Sequence, residues 1–276
     1  MPVQLTEKQK KSPLYKYYEL PIKPVPEETV KEIMAMEFED GREGIPIEDI
    51  NQPLDEGYKT GEFGLLMTPT GARSVASHID MPGVTPEMFD WWFAWHGLDP
   101  IRYTIWDKDD HYYAQTQNVE QGLDSSLSYA ERYWNTSHKI KESLRDGAPP
   151  VAAQLTFVPP SYVGFDMERM KAVGATAVVT PGPVIMVHFV RPTYRGSELR
   201  TRLWFGYQAT PDGVKKIPDF QGRPGVPFNP GMMAKTLLLH NIKEFTHLAE
   251  ILPSLFNEYK DDFTVGFEYK EDIIPE

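Results

Sequence analysis

The chain contains no cysteine. That excludes disulfides, thiolate zinc sites and cysteine nucleophiles, and it leaves any metal centre to histidine and carboxylate ligands. No run of 18 apolar residues occurs, so no transmembrane helix is expected, and no signal-peptide pattern opens the chain; the expectation is a soluble, cytoplasmic protein. Basic residues are scarce beside acidic ones, 28 against 40, for a formal net charge of −12. Such a surface argues against nucleic acid and anionic membranes as partners. The nucleophile-elbow pattern G-x-S-x-G is absent, so nothing supports a serine esterase. There is no internal repeat and no low-complexity segment.

What remains is a chain of 276 residues, 41% hydrophobic, long enough to bury a sizeable core as one large domain or one with a small companion. Tryptophan and tyrosine cluster between Trp91 and Trp134. Such a cluster builds either an ordinary aromatic core or a cavity for a flat phenolic ligand.

The longest periodic stretch runs from Met232 to Leu252 and beyond. Leu238, Ile242, Phe245, Ala249, Leu252 and Phe256 recur at spacings of four and three, the period of one helix face. Lys243, Glu250 and Asn257 fall opposite. His240 and Glu244 stand four apart at the margin of the apolar arc, where an imidazole and a carboxylate one turn apart can share a metal ion. The plainer reading of the same pair is a polar seam between helix and solvent.

Upstream, residues 1–25 are polar and punctuated by proline, as expected of an arm on the surface, and Pro26-Glu27-Glu28 opens a short helix. Residues 41–61 read as loop. Gly64–Met67 and Ala72–Ile79 read as strands. Thr85-Pro86-Glu87 is a helix start leading into the apolar run to His96. Ile101–Trp106 is β-branched and aromatic and reads as a strand, followed by a turn at Asp107–Asp110 and by His111. From Tyr133 to Glu142 the alternation places His138, Ile140 and Glu142 on one face, with Lys139 and Lys141 on the other. Strands follow at 151–158, 175–180, 184–190 and 198–207, with His188 in a stretch apolar on both faces. A Gly- and Pro-rich loop (211–231) precedes the long helix and an acidic tail ends the chain. Many antiparallel strands before one long helix imply an α+β domain with the sheet wrapped around that helix. The expected division is an N-terminal arm and small helical part over 1–60, and a main domain with its tail over 61–276.

The run Glu87–His96, then Pro100-Ile101-Arg102-Tyr103 and His111, then His240-x-x-x-Glu244, resembles the 2,4-diacetylphloroglucinol hydrolase and phloretin hydrolase family over roughly residues 60–257. The resemblance implies a helix-grip (Bet v 1-like) fold behind a smaller N-terminal part. It implies hydrolysis of the carbon–carbon bond between a phenolic ring and an acyl group, with Zn2+ held by two histidines and two glutamates. By position these are His111, Glu142, His240 and Glu244, with Tyr103 and His188 as substrate-side groups. Ala114 stands where the diacetylphloroglucinol enzyme has an asparagine contacting substrate, which leaves open whether the substrate is acylphloroglucinol-like or phloretin-like. His96 rivals His111, and Glu120 and Glu131 rival Glu142; His78, His138 and His247 carry no ligand signal. The implied partner is a small phenolic ketone, and a homodimer stays open. Two other readings compete: a non-haem iron oxygenase, and a metal-free carrier of hydrophobic small molecules.

Overall fold

The computed structural model describes residues 2–144, 148–217, 220 and 229–270. After two short helices, α1 (Tyr15–Tyr18) and α2 (Glu27–Ala35), the chain enters β1 (Gly64–Met67) and β2 (Arg73–Pro82). Two buried helices follow, α3 (Pro86–Trp95) and α4 (Pro100–Trp106), then β3 (His111–Thr116), α5 (Val119–Leu123), α6 (Tyr129–Tyr133), β4 (Thr136–Glu142) and β5 (Val151–Phe157). The remainder is α7 (Met167–Ala172), β6 (Thr176–Pro181), β7 (Val184–Thr193), β8 (Gly196–Phe205), β9 (Tyr207–Thr210), β10 (Gly213–Lys216) and the 30-residue α8 (Pro230–Tyr259).

The architecture is α+β, with antiparallel sheets and a C-terminal helix. Five strands are ordered β1-β2-β8-β7-β6, three are ordered β3-β4-β5, and β9 and β10 form a separate hairpin. One bridge just past the end of β5, Val158 to Val179, links the three-stranded sheet to β6. Leu248, Leu252 and Phe256 of α8 pack on one face of the larger sheet with Ile79, Met81 and Leu199. Leu238 of the same helix packs with Val75, Leu203 and Phe205. The opposite sheet face, including Val179, Val187 and Trp204, is covered by Ile47, Ile50 and Leu54 and by Phe165 and Met170.

Three features differ from the sequence expectation. Ile101–Trp106 is helix α4, not a strand. Asp99 caps it by accepting from the Ile101 amide at 3.1 Å, and Pro100 takes the first turn. A cap and an N-terminal proline fix the helix start, and complete burial then accommodates residues of high β-propensity. The first 25 residues do more than lie on the surface, since Leu5, Leu14 and Tyr17 enter the main core cluster. Part of the 211–231 loop is strand β10, paired with β9; residues 218–219, 221–228 and the acidic end 271–276 lie outside the described residues.

Candidate metal centre

His111 opens β3 directly after a tight turn in which its amide donates to the Asp107 carbonyl at 2.7 Å. Its ring is fully buried. The Tyr103 ring stacks on it, centroids 3.9 Å apart, and His111 Nδ1 donates to the Tyr103 carbonyl at 3.3 Å. That bond fixes the tautomer and leaves Nε2 with a free lone pair. Trp106 meets the same imidazole edge-on at 5.0 Å and donates its indole N–H to the Glu244 carbonyl at 2.9 Å. Residues 103 and 106 can do this because α4 is a helix: three apart, they face the same way.

Glu142 is the register partner of His111 across the β3–β4 ladder, where β3 carries an irregularity between His111 and Tyr113. The Tyr103 hydroxyl donates to its carboxylate. From α8, His240 and Glu244 approach the same point. His111 Nε2 lies 3.4 Å from His240 Nε2, 3.4 Å from Glu244 Oε2 and 4.0 Å from Glu142 Oε2, and His240 Nε2 lies 3.8 Å from Glu244 Oε2. Two ligand atoms on a tetrahedral ion with bonds of about 2.0–2.1 Å stand about 3.3–3.4 Å apart. The His111–His240–Glu244 group therefore already has the spacing a small divalent ion needs.

The electrostatics point the same way. Burial, and then the nearby charge of His240, hold His111 well below the usual imidazole range, so its ring is neutral. Burial pushes the Glu244 carboxyl up, to about 8, with Glu142 and Asp107 adding to the effect. His240 goes the other way: burial disfavours its charged form, but Glu244, Asp110, Glu142 and Asp107 outweigh that and raise it to about 9. Carboxylates thus exceed cations in a dry pocket, and protons make up the difference. A divalent ion would replace those protons, and the donor set fits one.

Behind His240 lies a second layer, built on the Asp107–Asp110 stretch that reads in sequence as a turn. Asp110 Oδ2 is 3.7 Å from His240 Nδ1, and Lys243 Nζ lies 2.5 Å from Asp110 and 3.0 Å from Asp107. Lys243, placed on the helix's polar side by periodicity, is instead largely buried in this ion cluster. Asp107, Asp110 and His240 would themselves make a plausible cation group, and the Lys243 ammonium already occupies it. The sequence signal was present: three aspartates within the four residues before His111, two of which (Asp107 and Asp110) meet Lys243, and a lysine adjoining Glu244.

The structure therefore brings His111, Glu142, His240, Glu244 and Tyr103 together. His188 is buried on β7, its Nδ1 2.8 Å from Thr201 Oγ1, and burial depresses it to about 3. Its nearest rings are Phe245, at 4.7 Å, and Phe93; Phe245 in turn contacts Trp106. His96 donates to the Trp92 carbonyl at 3.0 Å and stacks on the Trp92 ring, the arrangement of a core histidine. His138 is buried against His96 and Phe157, His247 is buried on α8, and His78 faces Glu198 at 3.1 Å. Glu131 caps its own helix through Ser128. Ala114 is buried opposite Ile140. A groove of about 690 Å³ lined by Asp90, Tyr129, Arg132, Trp134 and Lys171 lies elsewhere and includes none of the candidate residues.

Residues 45–257 match the family model described as the DAPG hydrolase PhiG domain. A phloretin hydrolase from Eubacterium ramulus is 34% identical over 272 residues, covering 95% of each chain. Two 2,4-diacetylphloroglucinol hydrolases, from a Pseudomonas species and from Pseudomonas protegens, are each 27% identical over 230 residues. They cover 77% of this chain and 76% and 73% of theirs.

Proposed function

Because the chain belongs to the DAPG hydrolase family, we propose that it is a metal-dependent hydrolase cleaving the carbon–carbon bond between a polyhydroxyphenol ring and an acyl group. The observation that carries this reading is the convergence of His111, His240 and Glu244 on one buried point, with Glu142 at its edge. We assign these four as ligands of Zn2+. The strand order supports a helix-grip fold: read through the Val158–Val179 bridge, β3-β4-β5-β6-β7-β8-β2 forms one antiparallel row with α8 against it.

When bound, a divalent ion supplies Lewis acidity and a bound water of pKa near 7. The chain's own groups do the rest. Tyr103 orients Glu142 through its hydroxyl and fixes the His111 ring through its carbonyl. Asp110 faces the far side of His240 and limits its rotation. The aromatic wall of Trp106, Phe245 and Phe93 excludes bulk water and suits a flat ring. In the reaction, a water oxygen bonds to the acyl carbon, the ring–acyl bond breaks, and the ring carbon takes a proton, giving a carboxylic acid and the deacylated phenol. His188, held neutral, is assigned to hold a ring hydroxyl by hydrogen bond, and the proton that the ring carbon gains is the one the attacking water gives up.

A second reading has one specific observation behind it. Two histidines and one carboxylate at 3.4–3.8 Å also make the facial donor set of Fe(II) oxygenases, with Glu142 standing farther off. Incubating the purified protein with phloretin in ¹⁸O-water separates the two. Label in the released acid, with stoichiometric zinc by elemental analysis, supports the hydrolase. Unlabelled acid there, with label acquired from ¹⁸O2 in a parallel incubation in ordinary water and iron bound, replaces it.

A further inference from the structure

Asn241 sits on α8 between His240 and Glu244 in sequence and is almost fully buried. Its side chain reaches β2, where the Ser77 hydroxyl donates to Asn241 Oδ1 at 2.5 Å. Ser77 is the register partner of Thr201 on β8, and Thr201 is the partner of His188 on β7. Ser77, Thr201 and His188 therefore form one polar row across three strands, on the sheet face beneath α8.

The residues two positions to either side are apolar on every strand: Val75 and Ile79, Leu199 and Leu203, Met186 and Val190. Burying two hydroxyls, an imidazole and a carboxamide in such a face is unfavourable unless their hydrogen-bonding capacity is used. Part of it is. Ser77 serves Asn241, and Thr201 serves His188. His188 Nε2 and the amide nitrogen of Asn241 are left over. The Asn241 nitrogen donates to none of the described residues, and it is not among their fully enclosed unpaired polar atoms, so it remains free to donate. Asn241 lies three residues before Glu244, which puts its carboxamide one helical turn from the candidate metal ligand, about 5–6 Å away between Cβ atoms.

We propose that Asn241 is a specificity residue: held by Ser77 through its carbonyl oxygen, it donates from Nδ2 to a ring hydroxyl oxygen of the bound polyhydroxyphenol. The inference rests on the proposed function, because it assumes that a phenol occupies the space between α8 and the sheet. It adds that the site counts hydroxyl groups on the ring. A buried donor placed for one substrate oxygen is left unpaired when that oxygen is missing, and the ligand lacking it is rejected.

The test compares phloretin with analogues that each lack one ring hydroxyl. The wild-type protein is expected to disfavour one of these analogues in kcat/KM by about tenfold or more. Asn241→Leu, close in volume, should retain its metal by elemental analysis, lose about tenfold in kcat/KM for phloretin chiefly through KM, and treat that analogue and phloretin alike. Ser77→Ala frees the carboxamide without removing it and should narrow the same discrimination partially. If Asn241→Leu, folded by circular dichroism, discriminates as the wild type does, the assignment falls while the hydrolase reading stands. Should Asn241→Leu fail to fold, unchanged discrimination by Ser77→Ala overturns it equally. A wild-type protein that neither binds nor cleaves any of these phenols removes the hydrolase reading and this assignment together.

Discussion

The ring of Tyr103 lies parallel to that of His111, 3.9 Å away and inclined by only 2°, while its hydroxyl reaches across to Glu142. One side chain thus touches two candidate ligands on adjacent strands. Tyr103→Phe keeps the stack and removes the hydroxyl. It is expected to weaken metal binding 10- to 100-fold, the usual effect of losing a hydrogen bond behind a ligand. Chelator competition measures this; unaltered affinity would show that Glu142 needs no support from Tyr103.

His240→Ala and Glu244→Ala should each lose the bound ion while remaining folded, because both side chains end at the shared point and neither fills the core as Phe245 does. Elemental analysis after dialysis is the readout. Full occupancy in either variant removes that residue from the ligand set.

His111→Ala and His96→Ala should separate cleanly. His111 is proposed as a ligand, so its removal is expected to abolish metal-dependent turnover. His96 is packed among Trp92, Tyr103 and Trp106, and its loss leaves a cavity. The expected outcome is about 2–4 kcal/mol of lost stability with metal retained. Thermal denaturation together with metal content decides it; the reverse pattern would exchange the two roles.

Lys243→Met leaves Asp107 and Asp110 buried without their cation. Breaking a buried pair from one side costs about 3–5 kcal/mol. Because Asp110 also faces His240, metal affinity should fall together with the denaturant midpoint. A variant as stable as the wild type would mean that the aspartates are neutralised by other means.

Three core histidines contribute to the acid limb of stability. Burial holds His96 at about 4, His188 at about 3 and His138 well below its ordinary value. Below pH 6.5 the unfolded chain takes up protons that the folded one refuses, so stability falls as pH drops from 6.5 toward 4 and is fully present above that window. Each such group contributes about 1.4 kcal/mol per pH unit within it. His188→Gln removes one of them. Its stability, measured by denaturant titration between pH 6.5 and 4.5, should depend on pH less steeply by one proton. An unchanged slope would mean that His188 titrates freely in the folded state.

Much of this was legible in the chain. The spacing of Leu238, Phe245 and Leu252 is local, and so is the alternation that turns Glu142 inward; both appear as read. The family resemblance, which singles out His111, is matched across residues 45–257. What local pattern could not supply was α4, where the Asp99 cap and Pro100 prevail over residues of high β-propensity. Nor could it supply Lys243 and the Asp107–Asp110 turn, whose contact joins segments more than 130 residues apart. The Ser77–Asn241 bond has no local signature for the same reason, since a serine on a strand and an asparagine on a helix announce nothing until the two elements are stacked.

The single bridge between Val158 and Val179 has a mechanical consequence. His111 and Glu142 ride on the three-stranded sheet, and His240 and Glu244 ride on the helix seated against the five-stranded one. Between β5 and β6 the backbone ladder is reduced to one rung, so an ion at the centre would act as a rivet across a seam. Its departure would be felt first as breathing of the smaller sheet, with amides of β3 and β4 exchanging faster while those of β7 and β8 keep their protection.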